Sequence, residues 1–122
     1  MLSKEQAYLA MFFMLDQHYW TSTKNDSLGQ LLGSLNPYLF IGSKTADPAA
    51  WEDWIDSITR ITDASLLSPD EALKACMVFL EFYMSEFGFD VGWILEDIRN
   101  MSDNDKVWLF YVNHATDILT LN

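Results

Sequence analysis

A single cysteine, Cys76, makes an intrachain disulfide impossible, and its place in an apolar helical run points to a buried, reduced thiol of a cytosolic protein. The two histidines, His18 and His114, cannot assemble a zinc site with cysteine partners. Long hydrophobic runs are missing too. The longest, Ala7 to Leu15, is nine residues, against the roughly 20 that span a bilayer. It follows Lys4-Glu5-Gln6, and no small-residue cleavage site comes after it, so it reads as a buried helix rather than a leader or an anchor. Basic residues are the scarcest class that bears on partners. Seven Lys and Arg stand against eighteen Asp and Glu, a net charge of −11. Such a field repels nucleic acid and anionic membrane and steers basic partners inward. Five Trp, five Tyr and eight Phe lack interleaved cations, so they do not form a nucleic-acid stacking platform.

What is present is a helical pattern. Half of the 122 residues are hydrophobic, which suffices for one core, and residues 1–122 read as a single domain. Ser3-Lys4-Glu5-Gln6 and Ser68-Pro69-Asp70-Glu71 have the form of capping boxes, the second with proline at the first helical position. Asp47-Pro48, Asn25-Asp26, Asp90 and Ser102-Asp103 are the other helix starts. Three sets follow the i, i+3, i+4, i+7 spacing of a one-faced helix: Leu28/Leu31/Leu32/Leu35, Trp51/Trp54/Ile55/Ile58 and Val91/Ile94/Leu95/Ile98. The helices from Ser3 and Ser68 are apolar nearly all round, which places them at the centre. A last helix over about 103–119 presents Trp108, Tyr111, Val112, Ala115 and Leu119 on one side. The expected fold is an all-α compact bundle of about six helices. Tyr38-Leu39-Phe40-Ile41 is the one doubtful stretch, either a brief extended segment or an apolar loop on the core.

The chain also says one thing twice, with units of approximately 3–63 and 68–119. With Ser3 placed on Ser68, Ala7 falls on Ala72, Ala10 on Ala75, Leu15 on Leu80 and Asp16 on Glu81. After a two-residue slip, Leu28-Gly29 falls on Val91-Gly92. At a further slip Trp54 falls on Trp108 and Ile58 on Val112. Two copies suggest a pseudo-twofold bundle rather than a solenoid, which needs at least three units. The units do not share charge. Residues 1–62 hold four bases and seven acids, a net of −3, and residues 63–122 hold three and eleven, a net of −8.

Chemistry is sparse. General acid–base work needs two carboxyls in one cleft with separated pKa values. Glu52, Asp53 and Asp56 lie off the apolar stripe of their helix, where water should surround them. Asp16 and His18 point in different directions, and no nucleophile is placed to join them. Gly29 and Gly33 suit close helix packing and lack the lysine of a phosphate loop. Asp103-Asn104-Asp105 lacks the glycine and distal glutamate of a calcium loop. No catalytic, metal or cofactor residue is assigned. Most of the aromatics read as core; Trp51, Trp93 and Trp108 are the ones with room to be partly exposed, and exposed tryptophan beside acids makes a strong protein-binding anchor, with structural packing the alternative for each. The candidate partner-binding residues are therefore Trp51, Glu52, Asp53 and Asp56 in one patch, and Trp93, Glu96, Asp97 and Asp103 in another.

Three strings occur together: Ala7-Tyr8-Leu9-Ala10-Met11, Asp26-Ser27-Leu28-Gly29-Gln30-Leu31-Leu32-Gly33, and Asp47-Pro48-Ala49-Ala50-Trp51-Glu52-Asp53-Trp54. Over roughly the first 60 residues the combination resembles a group of small acidic bacterial proteins. Their genes often lie beside polymorphic or contact-dependent growth-inhibition toxins, and they are taken to be immunity proteins. The resemblance implies a non-catalytic cytoplasmic protein that binds and neutralises a cognate toxin domain, with a basic nuclease suiting the acidity. Such a protein needs no cofactor and is a monomer or weak dimer. The alternative is a small acidic chaperone or adaptor for a secreted protein. Those are commonly dimeric with mixed α/β structure.

Overall fold

In a computed structural model, the described residues are 1–22, 26–35, 48–101 and 105–119. They contain six helices: α1 Lys4–Thr21, α2 Asp26–Leu35, α3 Pro48–Thr59, α4 Pro69–Phe87, α5 Gly92–Met101 and α6 Asp105–Ile118. Among the described residues the only extended pairing is an isolated bridge between Leu2 and Leu67. The fold is an all-α bundle. Asp103 and the stretch Tyr38–Ile41 lie outside the described residues. No helix among the described residues is long and apolar enough to cross a membrane.

Both central helices begin with complete capping boxes. Ser3 Oγ accepts from the Gln6 amide at 3.0 Å while Gln6 Oε1 accepts from the Ser3 amide at 2.9 Å. Ser68 and Glu71 repeat the pair at 3.1 and 2.9 Å. Each box satisfies two amides that the first helical turn leaves without partners. The residues before the caps, Leu2 and Leu67, exchange reciprocal backbone hydrogen bonds of 2.7 and 2.8 Å. A residue thus pairs with its own counterpart in the other half, the relation an isologous twofold contact has.

Other counterparts behave alike. The Trp54 indole donates to the carbonyl of Lys4, the first residue of α1, at 3.0 Å. The Trp108 indole donates to the carbonyl of Pro69, the first residue of α4, at 2.7 Å. A methyl group added at Gly29 would meet the Tyr19 ring at 3.0 Å, and one added at Gly92 would meet Met84 at 3.7 Å. Tyr19 and Met84 are the same position of α1 and α4 when Ser3 is set on Ser68. Exchanging α1, α2 and α3 for α4, α5 and α6 leaves the pattern of packed helix pairs unchanged. The most extensive contacts cross between halves, α6 lying on α1 and α3 on α4.

The core lies along α1 and α4, with Ala7, Met11, Met14 and Leu15 from one and Ala72, Ala75, Phe79 and Leu80 from the other all buried. Leu28, Leu31 and Leu35 of α2 and Val91, Ile94 and Ile98 beside or on α5 close over it. The buried Tyr8 hydroxyl donates to the Leu35 carbonyl at 2.5 Å, and burial raises its pKa. The side-chain amide of Gln6 reaches the carbonyl of Leu119 and so ties the start of α1 to the end of α6.

Gly33 does not pack closely. A methyl group there would meet nothing within 4 Å, so only Gly29 carries the expected helix contact. The physical reason is direction, since Gly33 sits on the exposed side of α2. Gly33→Ala is accordingly expected to raise stability by roughly 0.5–1 kcal/mol, because a helix-interior alanine loses less backbone freedom than glycine. Gly29→Ala gains nothing, since its methyl presses on Tyr19. Urea denaturation of the two variants separates these outcomes.

Cys76 is fully buried and free. Desolvation pushes its thiol well above the ordinary range. A thiol reagent is therefore expected to leave Cys76 unmodified in the native protein and to label it at once in denaturant. Fast labelling under native conditions would contradict this.

Candidate functional site

Asp53 is the residue around which an accessible site is built. It stands on α3, one position before the core residue Trp54, and the packing of α3 on α4 turns it toward Tyr83. The Tyr83 hydroxyl donates to Asp53 Oδ2 at 2.8 Å. Asp53 is therefore half-buried and bonded, not surrounded by water as its place off the apolar stripe suggests. A flank of α3 that faces neither core nor open solvent faces a neighbouring helix instead.

Two depressions share Asp53 as a wall. A recess of about 50 Å³ is lined by Asp53, Asp56, Ser57, Arg60, Val78 and Phe82. An open hollow of about 300 Å³ is lined, among the described residues, by Ser34, Ala49, Asp53, Tyr83, Phe87 and Phe89. The rings form one connected system. Tyr83 lies 4.5 Å from Phe79, 5.0 Å from Phe87 and 5.9 Å from both Phe82 and Phe89, between centroids. Behind it, Phe79 touches Trp54, which touches Tyr8, which touches Trp51. A carboxylate rimmed by aromatic rings can take a lysine or arginine side chain through a charge-assisted hydrogen bond and a cation–π contact together. Glu52 and Asp56 are exposed on the same helix, and among the described residues no cation pairs with either.

Trp51 is half-buried, its ring 5.6 Å from Tyr8 in an edge-on contact. It acts as a wall of the core rather than a projecting anchor. Trp108 is not partly exposed as expected. It is 3% exposed, because its indole must reach Pro69 beneath α6. Trp93 is half-buried, its ring 5.9 Å from His18, and its indole nitrogen is buried with no acceptor among the described residues.

The second patch is differently occupied. Asp97 lies 3.3 Å from the Nε2 of His18, whose Nδ1 lies 2.8 Å from the Met14 carbonyl. Glu96 pairs with Arg99 at 2.7 Å, and Arg99 also approaches Glu81 at 3.7 Å. These acids tie α5 to α1 and α4. The two patches do not merge. Tyr83 of α4 meets α3 and Glu81 of α4 meets α5, and two successive steps of 100° set those positions on opposite flanks. Asp103 lies outside the described residues.

A third surface was not expected. Trp20 and Phe110 are each 69% exposed, with Ile118 at 54% and Val107 at 40%. Val107, Phe110, Tyr111, His114 and Ile118 recur at helical spacing on one flank of α6, beside the buried stripe of Trp108, Val112 and Ala115. Gln6, Phe13 and Trp20 recur every seven residues on the flank of α1 that meets α6. Gln6 reaches Leu119 there, and Phe13 lies 4.4 Å from His114 between ring centroids. Both signals are in the sequence, but α6 has two apolar stripes and only packing decides which is buried.

The acidic and apolar surfaces occupy corresponding places. When Trp54 is set on Trp108, Glu52, Asp53, Asp56 and Arg60 fall on Lys106, Val107, Phe110 and His114. One face of the bundle carries carboxylates and its counterpart carries apolar side chains. Among the described residues no cluster of His, Cys, Asp or Glu can hold a metal ion. Comparison with known protein families, with curated proteins and with solved structures finds no match.

Proposed function

We propose that this chain is a non-catalytic immunity protein that binds a basic toxin domain and neutralises it. The α3–α4 face makes the contact. The observation that carries the reading is Asp53 with its ring of Phe82, Tyr83, Phe87 and Phe89, flanked by exposed Glu52 and Asp56. A net charge of −11 draws a cationic partner in, and the hollow beside Asp53 seats a Lys or Arg side chain. Phe87, 59% exposed at the end of α4, supplies apolar area at the rim. Neutralisation follows from occupancy, because a toxin whose basic substrate groove is covered by carboxylates cannot admit its substrate. The reading also draws on the resemblance of the first 60 residues to toxin-linked immunity proteins. The mixed α/β architecture common in adaptors for secreted proteins has no counterpart among the described residues.

The test is protection. Cells that express the toxin encoded beside this gene should survive when they also express this chain. Survival should be lost with Asp53→Lys and kept with Gly33→Ala. Equal killing with and without the chain would end the proposal.

A further inference from the structure

His114 of the α6 stripe rests against Phe13, but Val107, Phe110 and Ile118 stay exposed, and the charges at the edge of the stripe say what covers them. Lys106 and Asp117 stand eleven residues apart, which at 100° per residue returns to within about 20° of the same direction. Both are exposed, and both lie on the flank of the stripe away from α1. Two copies of α6 laid face to face and antiparallel are related by a twofold axis across the helices. That operation keeps equal flanks together and reverses the direction of the chain. Centred between Tyr111 and Val112, it sets Lys106 of each copy against Asp117 of the other. It brings Phe110 of each copy close to the axis, so the most exposed large hydrophobic of α6 meets its own counterpart. A parallel pair, whose twofold axis runs along the helices, sets unlike flanks together and leaves Lys106 and Asp117 without each other.

We infer that the α1–α6 face docks a second copy of this chain through antiparallel α6 helices. Phe110 at the centre and Trp20 at the edge, with Val107 and Ile118, form its apolar part. An aromatic side chain presents about 150–250 Å². Trp20, Phe110 and Ile118 at their observed exposures therefore supply roughly 400 Å² per copy, against about 800 Å² per partner in a stable complex. The dimer is accordingly weak and reversible. It leaves the α3–α4 face of each copy open, because that face is the counterpart of the one in use. Two chains of −11 repel, so added salt strengthens this association while it weakens the capture of a basic partner.

Sedimentation equilibrium of the full chain from about 10 µM to about 1 mM reads the result. A monomer–dimer equilibrium is expected, stronger in high salt. Phe110→Asp should abolish it with the helical circular dichroism unchanged. Lys106→Glu should weaken dimerisation on the order of tenfold, and Asp117→Lys added to the same chain should restore it. A chain monomeric throughout overturns the inference, as does a dimer indifferent to Phe110→Asp. Failure of the charge swap to restore association also overturns it. Loss of binding to a different protein on Phe110→Asp, with the wild type monomeric, would give the face to a foreign partner and overturn it equally. None of these outcomes bears on toxin protection, which depends on the α3–α4 face.

Discussion

Trp54→Ala and Trp108→Ala are each expected to lower stability by about 3–5 kcal/mol, the range for deleting a buried aromatic side chain. Trp54 is fully buried and Trp108 is 3% exposed. Each indole N–H also finds its acceptor at the first residue of a central helix, the carbonyl of Lys4 or of Pro69. Trp54 carries two further ring contacts, with Tyr8 and Phe79, so its loss should fall toward the upper end. Marginal domains have about 5–15 kcal/mol in total, so either variant stands close to unfolding. The helices interlock across the halves, α3 on α4 and α6 on α1. Both substitutions should therefore lower the midpoint of one shared transition. Separate transitions for the two halves, or a loss below about 1 kcal/mol, would show that the indoles do not hold the bundle as described.

The second large effect concerns recognition. Glu52→Lys combined with Asp56→Lys converts two exposed carboxylates on α3 into cations. Net charge moves from −11 to −7, a change concentrated beside Asp53. For a basic partner, the association rate at low salt should fall by roughly 10–100-fold, and the gap should narrow as salt screens the field. Stability should change little, since neither side chain pairs with a cation among the described residues. Reversal at Glu96 and Asp97 is the instructive control. Those acids hold Arg99 and His18, so their replacement should disturb the seating of α5 as well as the field. An association rate unchanged by the α3 reversal and by salt would remove electrostatics from the account.

The scaffold was legible in the sequence because helix starts and apolar spacing are local properties. Ser3/Gln6 and Ser68/Glu71 announce both central helices, and Asp26 and Pro48 mark the starts of α2 and α3 to the residue. α5 begins two residues after its expected start at Asp90, within the ambiguity of helix ends, and the expected start of α6 at Asp103 lies outside the described residues. The site was legible only in part. Glu52, Asp53 and Asp56 stand out as acids off a stripe, but the bond from Tyr83 to Asp53 links residues thirty positions apart. Nothing local encodes it. The full burial of Trp108 is not legible, because a helix stripe does not reveal how deep it sinks. The exposure of Trp20 is not legible either, because α1 is apolar almost throughout and its pattern does not single that ring out.

The most direct test is a map of the contact. An isotope-labelled sample of this protein is titrated with a basic toxin domain against which it protects cells, and backbone amide shifts are followed by NMR. The account predicts that perturbations cluster at Glu52, Asp53, Asp56, Phe82 and Phe87, on the α3–α4 face, and leave Phe110 and Ile118 untouched. Perturbations confined to Trp20, Phe110 and Ile118, with the α3–α4 amides silent, would contradict it.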